Sequence, residues 1–451
     1  MDLHGVLARR VFVPLYERRW GVANPALDRE LARSQFHDEE QIRDRQLQRL
    51  RELLGFAAER SPFYRRRFRD AGFEPGDLKD VADLAGLPLL TKDDIRGHGD
   101  QILSEGFDRD RLLRRRTGGS TGVPLHLYWD AGAHTFKSRL TRRHDAWAGH
   151  RPGVRRAALW GDTDKQYPWK VRVHKALCER TAFLDTLEMD EARLDDFVDR
   201  LRRFRPRALI GHAHSIYFFT EHLVRRGIGD IAFDGIISTA ETLSDAERET
   251  VESVFGPVVF DRYGCEEVAL IASECEAHDG LHVAAEGILV EVLDGDQTTP
   301  GRVVLTDLVN RGMPLIRYEV GDLATTRSGT CGCGRGLPRL GRVCGRTSDI
   351  LFAPDGRRIS GISILDTFMI HLEGVKQAQI VQDALDHVQV RVVPSDRYSD
   401  DTTAALRATI RQVFGDEMRS TVERVERIEP TPRGKYQFSV CEIDDPSVIR
   451  S

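Results

Sequence analysis

The chain has 451 residues, of which 40% are hydrophobic and 30% are charged. These proportions are those of an ordinary globular protein of two or three domains, and they exclude a collagen, a disordered chain and a bundle of membrane helices. The 66 basic and 71 acidic residues give a net charge of −5, so the chain as a whole has no attraction for the phosphate backbone of a nucleic acid.

Residues 1–110 are predicted to be mainly helical and connecting. Between Glu39 and Arg60 the apolar residues recur three or four positions apart, which is typical of one apolar stripe on a charged helix. Ser61-Pro62 should end this helix, because proline cannot continue the hydrogen-bond ladder and biases the preceding residue away from helical geometry.

From Arg155 to Asp261 short apolar runs alternate with amphipathic helices, one of which opens with the capping-box sequence Ser244-Asp245-Ala246-Glu247. The apolar runs predict strands at 157–160, 208–210, 235–237 and 258–260. Strict alternation of strand and helix predicts crossover units on a mainly parallel sheet. Ligands of such sheets bind beyond the carboxyl ends of the strands, so the loops that follow the strands are the expected place for chemistry.

Beyond Leu281 strands follow one another without helices, at 282–293 and 302–308 and again after Gly321, which predicts an antiparallel subdomain. A smaller unit begins near Gly345. Its predicted elements are a helix at 362–372, strands at 379–382 and 387–392, a helix at 404–414 and a strand at 421–429. We therefore expect an α/β protein with a large domain over residues 1–345 and a small α+β domain over residues 346–451.

The densest polar motif is Thr117-Gly118-Gly119-Ser120-Thr121-Gly122-Val123-Pro124. Its three glycines let the backbone turn tightly, so that amides and hydroxyls can face an anion. It lacks the Gly-Lys-Ser/Thr of the standard phosphate loop. A flexible hairpin between two strands explains the motif equally well.

Four later segments carry polar residues after strands or turns. Each is weak alone, because a single carboxylate is more often solvated or a helix cap. The segments are Ser238-Thr239-Ala240-Glu241, Asp261-Arg262-Tyr263-Gly264-Cys265-Glu266-Glu267, Leu315 to Asp322, and Thr431-Pro432-Arg433-Gly434-Lys435.

In this order the motifs resemble those of the phenylacetate–CoA ligase-like branch of the adenylate-forming superfamily, which includes proteins of capsular polysaccharide biosynthesis. The resemblance extends from Ser61-Pro62-Phe63-Tyr64-Arg65 and Leu87-Pro88-Leu89-Leu90-Thr91-Lys92 through the glycine loop to Gly345-Arg346 and Lys435. It implies a large adenylate-forming domain with mainly parallel sheets and an antiparallel subdomain, followed by a small mobile domain.

The resemblance also implies roles for these residues. Thr117, Gly118, Gly119, Ser120, Thr121 and Gly122 would hold the pyrophosphate of ATP, and the nucleotide would further contact Ser238, Thr239, Ala240, Glu241, Asp261, Tyr263 and Gly264. Glu267 would ligate Mg²⁺, a hard cation that prefers oxygen ligands. Asp322 would accept from the ribose hydroxyls, Arg346 would lie near ribose or phosphate, and Lys435 would neutralise charge as a carboxylate attacks the α-phosphorus.

The chain departs from the family pattern in three places. Glu266 stands where the family usually has Ser or Thr, and Gly345-Arg346-Thr347-Ser348-Asp349 replaces Gly-Arg-x-Asp-Asp at the hinge. True CoA ligases then continue into a Gly-Val-Asn-Val-Phe-Pro-like segment, whereas this chain has Ala353-Pro354-Asp355-Gly356-Arg357-Arg358-Ile359-Ser360. The carboxyl-terminal part is nearer the capsule-associated relatives, and the second half-reaction stays open.

The cysteines suggest a second metal. Cys275, His282, Cys331 and Cys333 offer three sulfurs and an imidazole, which suit a structural tetrahedral zinc ion, and relatives carry a similar pattern. His278 and Cys344 are rival ligands, and ordinary buried cysteines are the alternative. Seven cysteines in a chain without a signal peptide or an apolar stretch of about 18 residues favour the reducing cytoplasm and no disulfides.

Trp160, His212 and His214 end predicted strands on the ligand side, where they would line a substrate pocket or merely open a helix. Arg114-Arg115-Arg116 would steer ATP or form a solvated basic cluster.

The favoured function is a ligase that forms acyl-AMP and pyrophosphate from a carboxylic acid and ATP and then passes the acyl group to CoA or an amine. The alternatives are an adenylyltransferase that leaves AMP on its substrate and a non-catalytic nucleotide-binding module; Glu267, Asp322 and Lys435 together argue against the latter. The implied cofactors are ATP, Mg²⁺ and structural Zn²⁺, with CoA if the acceptor is a thiol. The partners are a small carboxylic acid and its acceptor, with neither a nucleic acid nor a membrane span, and a homodimer is left open.

Overall fold

The structure, a computed structural model, describes residues 2–19, 22–116, 125–160, 169–186, 189–346, 350–355, 358–360, 364, 372–429 and 437–443. An eleven-stranded mixed sheet forms its centre, and a separate four-stranded sheet lies in the carboxyl-terminal part. Within the described residues, no helix has the length and apolar character needed to cross a membrane.

The first hundred residues are helical, as predicted. A π-helical turn, Ala8–Phe12, joins the first two helices, and short 3₁₀ turns occur at Pro75–Asp77, Val81–Gly86 and Arg109–Arg111. The helices are α1 (Leu3–Leu7), α2 (Val13–Arg19), α3 (Pro25–Ser34), α4 (Glu39–Arg60), α5 (Pro62–Asp70) and α6 (Lys92–Ile102).

Helix α4 has the predicted bounds, and its apolar stripe is buried at Leu50, Leu53 and Leu54. Asp38 and Gln41 form a capping box at its start. Ser61 ends α4 and, with its side chain accepting from the amide of Tyr64, also begins α5, because proline is accommodated in the first turn of a helix.

The strands up to residue 346 belong to a hairpin and the large sheet. They are β1 (Leu113–Arg116), β2 (His126–Trp129), β3 (Arg156–Trp160), β4 (Thr181–Asp185), β5 (Ala208–His212), β6 (Gly235–Thr239), β7 (Val259–Cys265), β8 (Ala269–Glu274), β9 (Leu281–Val283), β10 (Ile288–Leu293), β11 (Gly301–Asp307), β12 (Tyr318–Arg327) and β13 (Arg339–Arg346). The helices among them are α7 (Ala131–Asp145), α8 (Trp169–His174, continued by a π-helical turn, Lys175–Glu179), α9 (Glu191–Phe204), α10 (Ala213–Arg226) and α11 (Asp245–Phe255).

Strands β3, β5, β6 and β7 confirm the predicted parallel half of the large sheet, and β4 adds a strand that was not predicted. They lie in the order β4-β3-β5-β6-β7, and each neighbouring pair is parallel. Helices α9, α10 and α11 connect these strands, and α9 packs its Phe197 and Leu201 into the core beneath the sheet. The capping box of α11 is present at Ser244 and Glu247.

The other half of the sheet, in the order β10-β11-β12-β13-β9-β8, is antiparallel, as expected. The single strand predicted at 282–293 is wrong, because the chain turns between Ala284 and Gly287 and so separates β9 from β10. The amide of Gly287 donates to the carbonyl oxygen of Ala284 at 2.9 Å, which closes this turn.

The carboxyl-terminal part has its own hydrophobic core, which includes Ile380, Val390, Leu406 and Phe414. Its elements are β14 (Ile350–Phe352), β15 (Arg358–Ser360), β16 (Val375–Ala384), β17 (His387–Pro394), α12 (Asp400–Phe414), β18 (Arg419–Arg424) and β19 (Ser439–Cys441).

In this part, one predicted strand is shorter at its end than expected, and one predicted helix falls mostly outside the described residues. The strand expected at 421–429 ends at Arg424, because the neighbouring strand β17 stops at Pro394 and offers no further ladder. The helix expected at 362–372 falls mostly outside the described residues, which include only 364 and 372 of that span.

Candidate active site

The polar residues predicted after the parallel strands lie along one edge of the sheet. In the register of the strands, Gly211 pairs with Ser238 and Ser238 pairs with Asp261. One residue further on, His212 pairs with Thr239. The parallel pairing of β6 and β7 ends at Thr239 and Arg262, and β7 continues to Cys265 against β8, so the strand predicted at 258–260 is longer than expected and includes Asp261 to Cys265. The carboxyl ends of β5 and β6 and the middle of β7 therefore meet at the edge where ligands of parallel sheets bind.

A hydrogen bond connects this edge to the antiparallel half of the sheet. The hydroxyl of Tyr263 on β7 donates to Oδ2 of Asp322 on β12 at 2.6 Å, and both side chains are buried. In strand order β12 is four positions from β7, which in a flat sheet would separate them by about 19 Å. The sheet must therefore roll up, and the roll brings Asp322 beside Tyr263.

Asp322 also lies beside the predicted hinge. In the register of β12 and β13 it pairs with Arg346. The backbone of Arg346 is thus next to a predicted ribose ligand, although its side chain and residues 347–349 lie outside the described part. Lys435 lies in 430–436, which is also outside it.

Glu267 is buried at the turn that follows β7. Its Oε1 accepts a hydrogen bond from the hydroxyl of Tyr318 at 3.0 Å, and its main-chain oxygen accepts one from Nε1 of Trp129 at 3.0 Å. Burial and the neighbouring Glu267 raise the pKa of Tyr318, so this phenol stays protonated and acts as a donor. A carboxylate held this way is oriented and is a suitable oxygen ligand for Mg²⁺.

Strands β1 and β2, which precede and follow the glycine motif in sequence, both contact the turn that carries Glu267. Nη2 of Arg115 lies 2.8 Å from Oε2 of Glu266, and its guanidinium stacks over the ring of Trp129 at 4.7 Å. The two strands pair up to Arg116 and His126. Residues 117–124 lie outside the described residues, but the strands on both sides of them contact the Glu266–Glu267 turn.

This contact explains the departure at Glu266. The family usually has a hydroxyl residue there, whereas here the Glu266 carboxylate pairs with Arg115. Arg115 is therefore not one of a set of merely solvated arginines, and Arg114 instead contacts the ring of His126.

The end of β6 and the residue that follows it have two unusual features. The hydroxyl oxygen of Ser238 is buried and has no hydrogen-bond partner among the described residues. Ala240 has a φ of 70°, a left-handed conformation that non-glycine residues seldom adopt and that costs free energy. A buried hydroxyl and a strained backbone therefore lie two residues apart in the segment that is predicted to contact the nucleotide.

His214 and His212 have different surroundings. Nδ1 of His214 lies 2.5 Å from Oε1 of Glu247, so this imidazole joins α10 to α11. The main-chain amide of His214 donates to the carboxylate of Glu241 at 3.2 Å. His212 precedes α10 and packs its ring 4.3 Å from that of Trp160. The pair of His212 and Trp160 is thus the part of the predicted substrate pocket that lies together.

Asp261 belongs to a buried cluster with Glu274 and Arg248. Oε2 of Glu274 accepts from the amide of Asp261 at 2.8 Å and pairs with Nη2 of Arg248 at 2.7 Å. Burial, and then the charge of Glu274, raise the pKa of Asp261 to about 7. The pKa of Asp261 is thus raised, and this carboxyl keeps its proton to a higher pH than an exposed aspartate does.

Three residues that support Glu267, namely Tyr318, Trp129 and Lys137, lie in no sequence pattern that predicts a role for them. Nζ of Lys137 lies 4.0 Å from the ring of Trp129 and 2.5 Å from Oδ2 of Asp307, with both charged groups buried. The one sequence feature that could have indicated a role for Lys137 is that it is a lysine in a chain rich in arginine. Its partner Asp307 is 170 residues away, so no local pattern joins the two.

The Cys/His cluster assembles as predicted. The ligand atoms of Cys275, His282, Cys331 and Cys333 all lie within 4.8 Å of one another. The sulfurs of Cys275 and Cys331 are 3.7 Å apart, close to the separation of about 3.8 Å between two thiolates on a tetrahedral zinc ion. Of the rival ligands, His278 instead contacts Glu274, at 3.4 Å, and Cys344 is not part of the cluster.

Comparisons with known proteins identify the fold. A 2-hydroxyisobutyryl-CoA ligase, crystallised in its postadenylation state, superimposes with a TM-score of 0.70 over 93% of this chain and 93% of its own, at 21% sequence identity. The fold is therefore that of an adenylate-forming ligase.

Sequence comparison identifies the relatives. The phenylacetate–coenzyme A ligase of Thermus thermophilus is 27% identical over 87% of each chain. Protein CapK of Staphylococcus aureus is 24% identical over 88% of this chain and 89% of its own, and residues 351–442 match the family described as the CapK C-terminal domain. These homologues confirm the resemblance predicted from the motifs, including the likeness of the carboxyl-terminal part to capsule-associated proteins.

The raised pKa of Asp261 predicts a pH-dependent stability. A carboxyl group whose pKa is higher in the folded state stabilises the fold fully below its unfolded pKa of 3.8, and that contribution is lost as pH rises through about 7. We therefore expect Asp261→Asn to gain thermal stability relative to the original protein as pH rises from 4 to 8. Thermal midpoints measured across this range test it.

Asp230→Asn is the matched control. Arg202 lowers the pKa of Asp230 by a hydrogen bond, so the contribution of Asp230 is constant above its unfolded pKa and this variant's difference should stay flat from pH 5 to 8. A flat difference for Asp261→Asn as well would contradict the assignment.

Proposed function

We propose that this protein is an AMP-forming ligase that activates a small carboxylic acid with ATP and transfers the acyl group to CoA or to an amine. The observation that supports this most directly is the convergence of Asp322, Glu267 and Ser238 at one edge of the sheet, although they come from three separate segments. A nucleotide that spans this edge would meet an acceptor for ribose, a carboxylate for its metal and an unsatisfied hydroxyl.

The residues fit the chemistry of the first half-reaction. A carboxylate oxygen of the acid bonds to the α-phosphorus of ATP, the bond from that phosphorus to the bridging oxygen breaks, and pyrophosphate leaves. Asp322 would fix the ribose, and Glu267 would hold Mg²⁺, which neutralises phosphate charge when bound. Such a reaction depends on positioning and positive charge rather than on covalent help from the protein.

The acid would bind near Trp160 and His212, whose packed rings follow adjacent strands. The pyrophosphate would bind to residues 117–122. These residues lie in sequence between β1 and β2, which contact the Glu266–Glu267 turn. In the second half-reaction the thiol of CoA or an amine attacks the acyl carbon, the carbon–oxygen bond to AMP breaks, and AMP leaves.

The small domain, residues 346–451, would supply Lys435 and move between the two half-reactions. The separate core of the carboxyl-terminal part supports movement as a unit, and Arg346, beside Asp322 in the sheet register, is well placed as the pivot. Lys435 would stabilise the charge that develops on the α-phosphate.

Acid-dependent exchange between ATP and pyrophosphate tests the first half-reaction, after a pyrophosphate-release screen of aryl, aliphatic, amino and sugar acids with and without CoA. We expect Glu267→Gln and Lys435→Ala each to lower the exchange rate at least about a hundredfold, since each removes one preorganised charge. ATP binding by the Lys435 variant should be largely retained.

Matched controls are Glu249→Gln on α11 and Lys376→Ala on β16, whose side chains are exposed, and these should keep full exchange. Exchange at the original rate in the Glu267 and Lys435 variants would refute their roles. Product mass distinguishes the acceptors: a substrate that retains AMP would identify an adenylyltransferase instead of an acyl ligase.

We also propose that Cys275, His282, Cys331 and Cys333 hold one structural zinc ion. Nε2 of His282 faces Cys333 at 3.3 Å, while its Nδ1 lies 3.2 Å from the carbonyl oxygen of Leu337, which is the arrangement of a metal-bound imidazole oriented by the backbone. The ion would close the 331–337 loop on the amino-terminal helices, because the amide of Gly336 donates to the carbonyl of Gln35.

We expect elemental analysis to find one zinc ion per chain. The variant Cys331→Ser/Cys333→Ser should lose this ion and should have a lower thermal midpoint, because metal binding contributes free energy of folding. Cys178→Ser, outside the cluster, should keep the ion. Protein purified without a chelator that holds no zinc would contradict the site.

A further inference from the structure

The surface formed by the amino-terminal helices and α8 exposes an unusual amount of apolar side chain. Eight of the twelve large apolar residues that are exposed in the described part of the chain lie here, with Leu3, Leu15 and Trp169 exposed by 67%, 57% and 69%. We call this set the apolar strip; its members are Leu3, Leu7, Val11, Leu15, Tyr16, Trp169, Val173 and Leu177.

The spacing in sequence places these residues in rows. On the first helical run the leucines and valine recur every fourth residue, and Trp169, Val173 and Leu177 do the same on the second. Positions four apart in an α-helix drift by only about 40° around the axis, and the wider π-helical turns in both runs reduce that drift. The rings of Tyr16 and His174 stack at 3.6 Å and hold the two runs side by side.

The opposite face of the first run is fastened to the body of the protein. Ala8 is fully buried, and the backbones of Gly5 and Gly153 approach so closely that a Cβ on Gly153 would lie 2.3 Å from the carbonyl oxygen of Gly5. Arg180 pairs with Asp2 at 2.6 Å. The orientation of the helix is therefore fixed, and the apolar strip faces outward.

The exposed charges of the two helical runs that carry the apolar strip are mainly positive. Arg9, Arg10, Arg18 and Arg19 are exposed. The acidic residues of the two runs instead pair with arginines outside them: Asp2 with Arg180, Glu17 with Arg139 and Arg142, and Glu179 with Arg156. The surface that remains is an exposed apolar row flanked by cations, on a chain whose net charge is −5.

We propose that the apolar strip is a docking surface for an anionic lipid bilayer, in whose interface the two helical runs lie without crossing it. Outward leucine and tryptophan with flanking arginines are the chemistry of a helix that binds in the plane of a membrane, where the apolar side chains enter the acyl boundary and the cations meet lipid phosphates. An interface between two copies of this chain would oppose two clusters of arginines, which disfavours that occupant.

The test is sedimentation of the full-length protein with vesicles of phosphatidylglycerol and phosphatidylcholine in equal parts, beside vesicles of phosphatidylcholine alone. We expect binding to the anionic vesicles only, with loss as salt is raised from about 0.1 M to about 1 M and charges are screened. Leu15→Asp should weaken binding at least about tenfold, because a charge replaces an apolar side chain that would enter the acyl boundary of the bilayer.

Arg9→Glu/Arg10→Glu tests the electrostatic part in a variant that leaves the apolar residues intact, and it should weaken binding more than about 25-fold, at about fivefold for each arginine. The matched control is Val224→Asp, an exposed apolar position on α10 outside the apolar strip, which should bind as the original protein does. Equal thermal midpoints show that the variants are folded.

Three results would overturn the proposal. One is no sedimentation with anionic vesicles. Another is equal binding to both kinds of vesicle at high salt. The third is a concentration-dependent dimer, measured by light scattering, that Leu15→Asp dissociates in the absence of vesicles, which would identify a second copy as the occupant.

Discussion

The rolling of the central sheet is the constraint on which the candidate site depends. A parallel sheet alone would offer the ends of β5, β6 and β7 to a ligand, and the antiparallel strands alone would carry Asp322 far from them. The hydrogen bond from Tyr263 to Asp322 joins two strands that are four positions apart in the sheet. Because the sheet closes in this way, residues from β6, β7 and β12 come to one edge of the sheet.

Other family-like motifs in the chain serve this geometry indirectly. The hydroxyl of Tyr64 on α5 contacts the carbonyl of Pro314 and the amide of Ile316, just before β12 begins. Leu90 forms a short parallel bridge with Tyr318, exchanging backbone hydrogen bonds with Arg317 and Glu319. These amino-terminal segments therefore position Tyr318, which in turn orients Glu267.

Side-chain periodicity predicted the helices and caps whose stability depends on neighbouring residues. It did not predict a turn inside an apolar stretch or a contact between residues distant in sequence. Helix α4 and the capping box at Ser244 follow from side-chain spacing and cap chemistry, and both are observed. The break after β9 is a turn at Glu286-Gly287 between two buried strands, and the apolar residues on both sides of that turn conceal it. The pairing of Arg115 with Glu266 joins residues 151 positions apart, so no local pattern distinguishes it from solvated surface charge.

We expect one nucleotide to occupy this edge of the rolled sheet. An experimental structure of the protein with ATP and Mg²⁺ tests this most directly. We expect the adenine beside residues 238–241, the ribose hydroxyls on Asp322 and the metal ion on Glu267. A nucleotide bound elsewhere, for example in the cleft lined by Arg45, Arg49 and Arg311 between α4 and α7, would contradict the account.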